Sequence, residues 1–143
     1  MAGLKYEKNV VRNAIDKNAG HKEIVHPVAW LRGGQYWGID FHMNWECISQ
    51  PFLMEAAAMV HDFDQILCFM GGNATDLWDF GAEVELTLGE GKEAEMYLIN
   101  SPTNVYVPKG LPHGPLYFKK IDKPIMFNNI VFVPRYVRTR NKK

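Results

Sequence analysis

Two histidines stand about fifty residues apart in settings that suit chemistry. His61 opens the stretch HDFDQILCFMGG, with Gln65 four residues on, and His113 lies in VPKGLPHG. An imidazole changes protonation state near neutral pH, so it serves as general acid, general base or metal ligand. A glutamine amide brings a donor and an acceptor but no charge. Gathered at one place, these groups suit proton transfer on a small organic molecule, with Gln65 hydrogen-bonding a carbonyl or enolate oxygen. The elements between them must therefore bring them together.

Residues 1–35 have mixed charge and little periodicity, and are expected to form an arm that packs on the rest of the chain or on a second subunit. From residue 36, QYWGIDFHMNW alternates. Trp37, Ile39, Phe41 and Met43 share one face of an expected strand and Gly38, Asp40 and His42 the other, so the apolar set is expected to face inward. FLMEAAAM has helical propensity but is short for a helix. DQILCFM reads as a strand with Gln65, Leu67 and Phe69 on one side and Ile66, Cys68 and Met70 on the other. GGNATDLWDFG is a loop with an expected apolar plug of Leu77, Trp78 and Phe80.

AEVELTLGEGKEAEMYLI then reads as a hairpin around GEGK, with Val84, Leu86 and Leu88 facing one way and Glu83, Glu85 and Thr87 the other. TNVYVPKGLPHGPLYF gives a strand broken at Pro108 and a loop carrying His113. PIMFNNIVFVP is a last strand ended by Pro134. Short strands punctuated by Gly and Pro, with no long helical pattern, indicate an all-β sandwich or barrel.

These residues resemble the cupins, small jelly-roll β-barrels whose two motifs read HxHxxxE or HxHxxxxE, followed by a glycine, and PxGxxH. Pro108, Gly110 and His113 match the second motif. In the first, His61 takes the second histidine, Gln65 the glutamate and Gly72 the glycine, while Met59 stands where the first histidine would be. The likeness covers roughly residues 52–134 and implies a small cupin-type jelly-roll barrel over 36–134 with an N-terminal arm. It also implies a site for one divalent metal ion, zinc, iron, manganese or nickel, with His61, Gln65 and His113 as the ligands carried over. The same three residues are the candidate catalytic groups.

Gln65 brings no negative charge and Met59 only a soft thioether, so such a site is expected to be weak. His42, Glu83 and Glu85 are candidate replacement ligands. Alternation sets His42 opposite the apolar face and gives the two glutamates solvated positions. The implied functions are an isomerase, lyase or decarboxylase acting on a small aromatic or carbonyl substrate, or a non-catalytic ligand-binding or structural cupin that has lost its metal.

Composition limits the rest. The 143 residues suit one domain, and 47% hydrophobic content argues against disorder. A net charge of zero gives no field for nucleic acid, and no apolar run approaches the length of a membrane span. Two cysteines, Cys47 and Cys68, make no disulfide framework, and the charged opening MAGLKYEKNV is unlike a signal peptide, so a cytoplasmic location is expected. The tail RYVRTRNKK, residues 135–143, is basic and expected to be solvated. Trp30, Tyr36, Trp37, Trp45 and Trp78 read as core or dimer contacts, or alternatively as a rim over an aromatic ligand. Exposed sheet edges and the aromatic arm suggest a homodimer.

Overall fold

The computed structural model describes residues 3–17 and 20–134; the basic tail at 135–143 lies outside the described residues. The strands are β1 (Ile15–Asp16), β2 (Val28–Arg32), β3 (His42–Ile48), β4 (Phe52–Glu55), β5 (Gln65–Gly71), β6 (Ala82–Leu88), β7 (Glu95–Ile99), β8 (Thr103–Val107), β9 (His113–Ile121) and β10 (Ile125–Val131). One short α-helix, α1 (Gly33–Trp37), and two 3-10 turns, Glu7–Asn9 and Gly91–Glu93, accompany them among the described residues. They form two antiparallel sheets, one in the order β1-β2-β3-β10-β5-β8 and one in the order β4-β9-β6-β7. This is the all-β sandwich that the alternating pattern implies, in the double-sheet jelly-roll form that the cupin resemblance implies. The segment before residue 36 supplies β1 and β2, so it extends the first sheet by pairing β2 with β3.

Register decides which side chains meet. In the first sheet, Gln65 pairs with Val107 and Val131, and Val131 pairs with His42. One row along the strand, Leu67, Asn129 and Asn44 align; the next row holds Phe69, Phe127 and Glu46. Burial alternates along β5, with Gln65, Leu67, Phe69 and Gly71 buried. On the facing sheet Val84, Leu86, Leu116 and Phe118 are the buried set. Between the sheets, Phe69, Phe118 and Phe127 pack together with ring centroids 5.1–6.3 Å apart. These aromatic contacts close one end of the interior.

Two expectations need correction. QYWGIDF is not a strand. Gly33–Trp37 is helical, Gly38 ends the turn at φ 68°, and the strand starts only at His42. The inward face of β3 is therefore Asn44, Glu46 and Ile48, and not the apolar set that includes Met43. Alternation misleads here because the outer face of this sheet is apolar too: Leu31, Met43, Ile130 and Ile66 align across four strands. The expected plug of Leu77 and Trp78 is also absent. Trp78 is 86% exposed and Leu77 58%, and only Phe80 packs against the core.

Candidate active site

The first motif reaches the second through backbone pairing. Met59 and His113 form an isolated antiparallel bridge, each N–H donating to the other's carbonyl at 2.7 and 2.9 Å. The N–H of Gly110 donates to the carbonyl of His61 at 3.0 Å. Asp64 completes the tie, since its carboxylate accepts from the Lys109 N–H at 2.9 Å and the Tyr106 hydroxyl at 3.0 Å. Gly114, at φ 110°, fits against the carbonyl of Ala57, where a Cβ would come within 2.6 Å. The turn after His113 thus depends on glycine both for its backbone conformation and for space.

His61, Gln65 and His113 line one cavity of about 270 Å³, together with Met59. All three are buried, Gln65 to 4% exposure. The ring of His61 stacks on Phe63 at 4.7 Å, with His113 tilted against it at 4.9 Å. Nδ1 of His113 lies 3.0 Å from the carbonyl of Leu111, which can only accept, so the proton sits on Nδ1 and Nε2 presents a lone pair. Burial holds His113 below the ordinary imidazole pKa, opposed by its hydrogen bond to Leu111 and by the charge of Glu55. Gln65 Nε2 donates to Asn129 Oδ1 at 2.5 Å, and its own Oε1 is buried without a partner.

The cavity also holds acids that the sequence did not single out. Glu46, from β3, and Glu55, from the end of β4, both line it. Burial alone lifts the Glu46 carboxyl from its ordinary 4.5 to about 7. No hydrogen bond or ion pair engages it among the described residues. The signal was present in the sequence: HMNWECI alternates equally well with His42, Asn44, Glu46 and Ile48 on one side. His42 sits at the far end of that face and does not line the cavity; burial and the Arg32 charge lower its pKa. Glu83 and Glu85 do not line it either, and Glu85 lies 4.0 Å from Lys119. Trp30 stacks on Tyr36 at 5.7 Å, and neither these rings nor Trp37, Trp45 and Trp78 reach the cavity. His21, from the arm, stands at its mouth beside Phe52.

No protein-family model matches the sequence, and comparison with curated proteins finds no match. The fold itself has solved relatives. A recombinant oxalate oxidase in complex with glycolate is 11% identical, aligned over 86% of this chain and 58% of its own, with a TM-score of 0.58. The oxalate decarboxylase of Bacillus subtilis, which has Mn(II) centres, is 11% identical over 87% of this chain and 30% of its own, with a TM-score of 0.62.

The chain has the cupin fold.

At this identity the likeness carries the fold alone, and the chain spans little more than half of the oxidase and less than a third of the decarboxylase. Its donor set also differs from what the cupin motifs imply. Among the described residues, no three His, Cys, Asp or Glu side chains are placed to hold a metal ion. Met59 presents a soft thioether and Gln65 an uncharged oxygen, a poor match for a hard or borderline divalent cation. The residues do not fit a metal of the manganese type. What the cavity does hold is a buried imidazole presenting a lone pair and, on the facing sheet, an acid poised near neutrality. No helix among the described residues is long and apolar enough to cross a membrane.

Proposed function

We propose that this cupin binds a small organic molecule in its interior and moves a proton on it, as an isomerase or lyase. The observation that carries this reading is the pairing, in one cavity, of a lone pair on His113 Nε2 with the protonatable carboxyl of Glu46. Two titratable groups whose surroundings leave both largely neutral just below pH 7 form an acid and base couple. His113 Nε2 takes a proton from a carbon beside a carbonyl, and Glu46 delivers one to the oxygen or to the neighbouring carbon. His61, buttressed by Phe63, and Gln65 orient the substrate. Decarboxylation fits less well, since no Lys or Arg among the described lining residues would hold a carboxylate.

The test is exchange of solvent deuterium into a panel of small ketones and aldehydes, with and without an amino group, followed by NMR. Exchange above the buffer rate is expected, reduced about a hundredfold in His113→Gln. It should be fastest in a window below about pH 7: His113 must be neutral, which its lowered pKa allows below the ordinary value of 6.5, and Glu46 must keep its proton, which it loses through about 7. Exchange no faster than buffer across the panel would favour the second reading, a non-catalytic binding cupin, which Met59 and Gln65 at the motif positions support.

We further propose that the chain self-associates through the outer face of its six-stranded sheet. Leu31, Met43, Ile130 and Ile66 run in one row across it, ending at Tyr106, which is 59% exposed. An apolar stripe of this width on a neutral protein suits a second copy of itself. Light scattering should give twice the chain mass, and Met43→Lys with Ile66→Lys should halve it. A single-chain mass for the unmodified protein would overturn the idea.

A further inference from the structure

Several of the polar groups that converge on the cavity are acceptors, although Asn44, Asn129 and His61 on the same lining also carry donors. Gln65 is 4% exposed, its Nε2 is committed to Asn129, and Oε1 is left buried without a partner on the lining. His113 commits its one proton to Leu111, so Nε2 also accepts. Glu46 adds carboxyl oxygens that no hydrogen bond or ion pair engages among the described residues, and Glu55, from the facing sheet, brings a second acid to the cavity. No lysine or arginine stands among the described lining residues to balance them. The remainder of the wall mixes apolar side chains, Met54, Leu67, Leu86, Leu116 and Phe127 among them, with His21, Asn44, His61 and Asn129.

We infer that the ligand of this cavity is a small organic cation, an ammonium or amidinium carrying N–H donors on an apolar body, and that small carboxylates are excluded. The inference rests on the reading above that the cavity is a small-molecule site, and adds the charge and donor character of what enters. A buried acceptor left unpaired costs free energy until a donor reaches it, so the Gln65 oxygen favours a ligand that donates. An anion would meet the Glu46 carboxyl in a low-dielectric cavity lined by no Lys or Arg among the described residues, whereas a cation gains from that carboxyl once it ionises. Size agrees: about 270 Å³ equals roughly nine water molecules in the liquid, and a cavity of about 150 Å³ already accepts benzene. The oxidase of the same fold is seen with glycolate, a carboxylate. This cupin is therefore expected to have the opposite charge preference.

Three probes of nearly equal shape decide it: benzylamine, benzyl alcohol and benzoate, titrated into the full chain at about pH 8, where Glu46 is mostly ionised. Binding is read from histidine ring and backbone amide shifts in NMR spectra. The expected order is benzylammonium more than about tenfold tighter than benzyl alcohol, with no binding of benzoate. Glu46→Gln should remove most of the preference for the cation, and Gln65→Met should weaken both benzylamine and benzyl alcohol while the fold, checked by the same spectra, persists. Benzoate binding as tightly as benzylamine would overturn the charge assignment and leave the small-molecule reading standing. Failure of all three to bind would overturn both.

Discussion

Replacing Met59 with histidine and Gln65 with glutamate together is expected to convert a cavity that binds divalent cations weakly into one that binds them more than about a thousandfold more tightly. The two positions are chosen by the fold. Met59 is buried on the cavity wall, two residues before His61 and bridged to His113 through the backbone. An imidazole there adds a third neutral nitrogen to the existing two, and a carboxylate at 65 supplies the charge that an ion needs when it leaves water for an apolar interior. In the unmodified chain neither contribution exists, because a thioether is soft and the Gln65 amide is neutral and tied to Asn129. Calorimetric titration of zinc, manganese and nickel into both proteins measures the difference. Tight binding by the unmodified protein would overturn this account and would mean that Glu46 supplies the missing carboxylate.

Stability should fall as the pH rises between about 5 and 8, by about 3 kcal/mol through Glu46 alone. The sign follows from the direction of the shift. Burial raises the Glu46 carboxyl from 4.5 to about 7, so the folded chain holds its proton over a range where the unfolded chain has lost it. The contribution is intact below pH 4.5, where both states are protonated, and is lost progressively up to about 7. His113 and His42, lowered by burial, act in the opposite sense: their folded forms resist protonation, so their contributions grow with pH up to the ordinary imidazole value of 6.5. The total profile is therefore a composite. The difference between the unmodified protein and Glu46→Gln isolates the carboxyl, because the amide keeps the shape and never ionises. Denaturation midpoints at several pH values should show the variant gaining on the parent as pH rises, with the advantage level above about 7. Parallel profiles would mean that Glu46 is solvated in solution.

The two predictions draw on different layers of information. That positions 59 and 65 matter follows from the likeness of His61, Gln65, Gly72 and the PKGLPH stretch to the cupin motifs, with strand parity placing Gln65 on the side of Leu67 and Phe69. The assignment of β5, β6, β7, β8 and β10, the hairpin at GEGK and the inward set of Leu67, Phe69, Val84 and Leu86 were legible for the same local reason. Glu46 was not legible. Its strand has two faces that both suit burial, Met43, Trp45 and Cys47 on one side and Asn44, Glu46 and Ile48 on the other, and hydrophobicity favours the wrong one.

By itself, then, the sequence determined an all-β sandwich or barrel through period-2 alternation and turn chemistry, and its likeness to the cupin motifs pointed to a jelly roll in which His61, Gln65 and His113 meet. Only the tertiary structure decided that β3 turns an acid toward them, because the parity of that strand is set by where α1 ends at Gly38 and by its pairing with β10, where Glu46 stands opposite Phe127. A one-residue change in where a strand begins exchanges its faces, and no local pattern records which face the neighbouring strand will select.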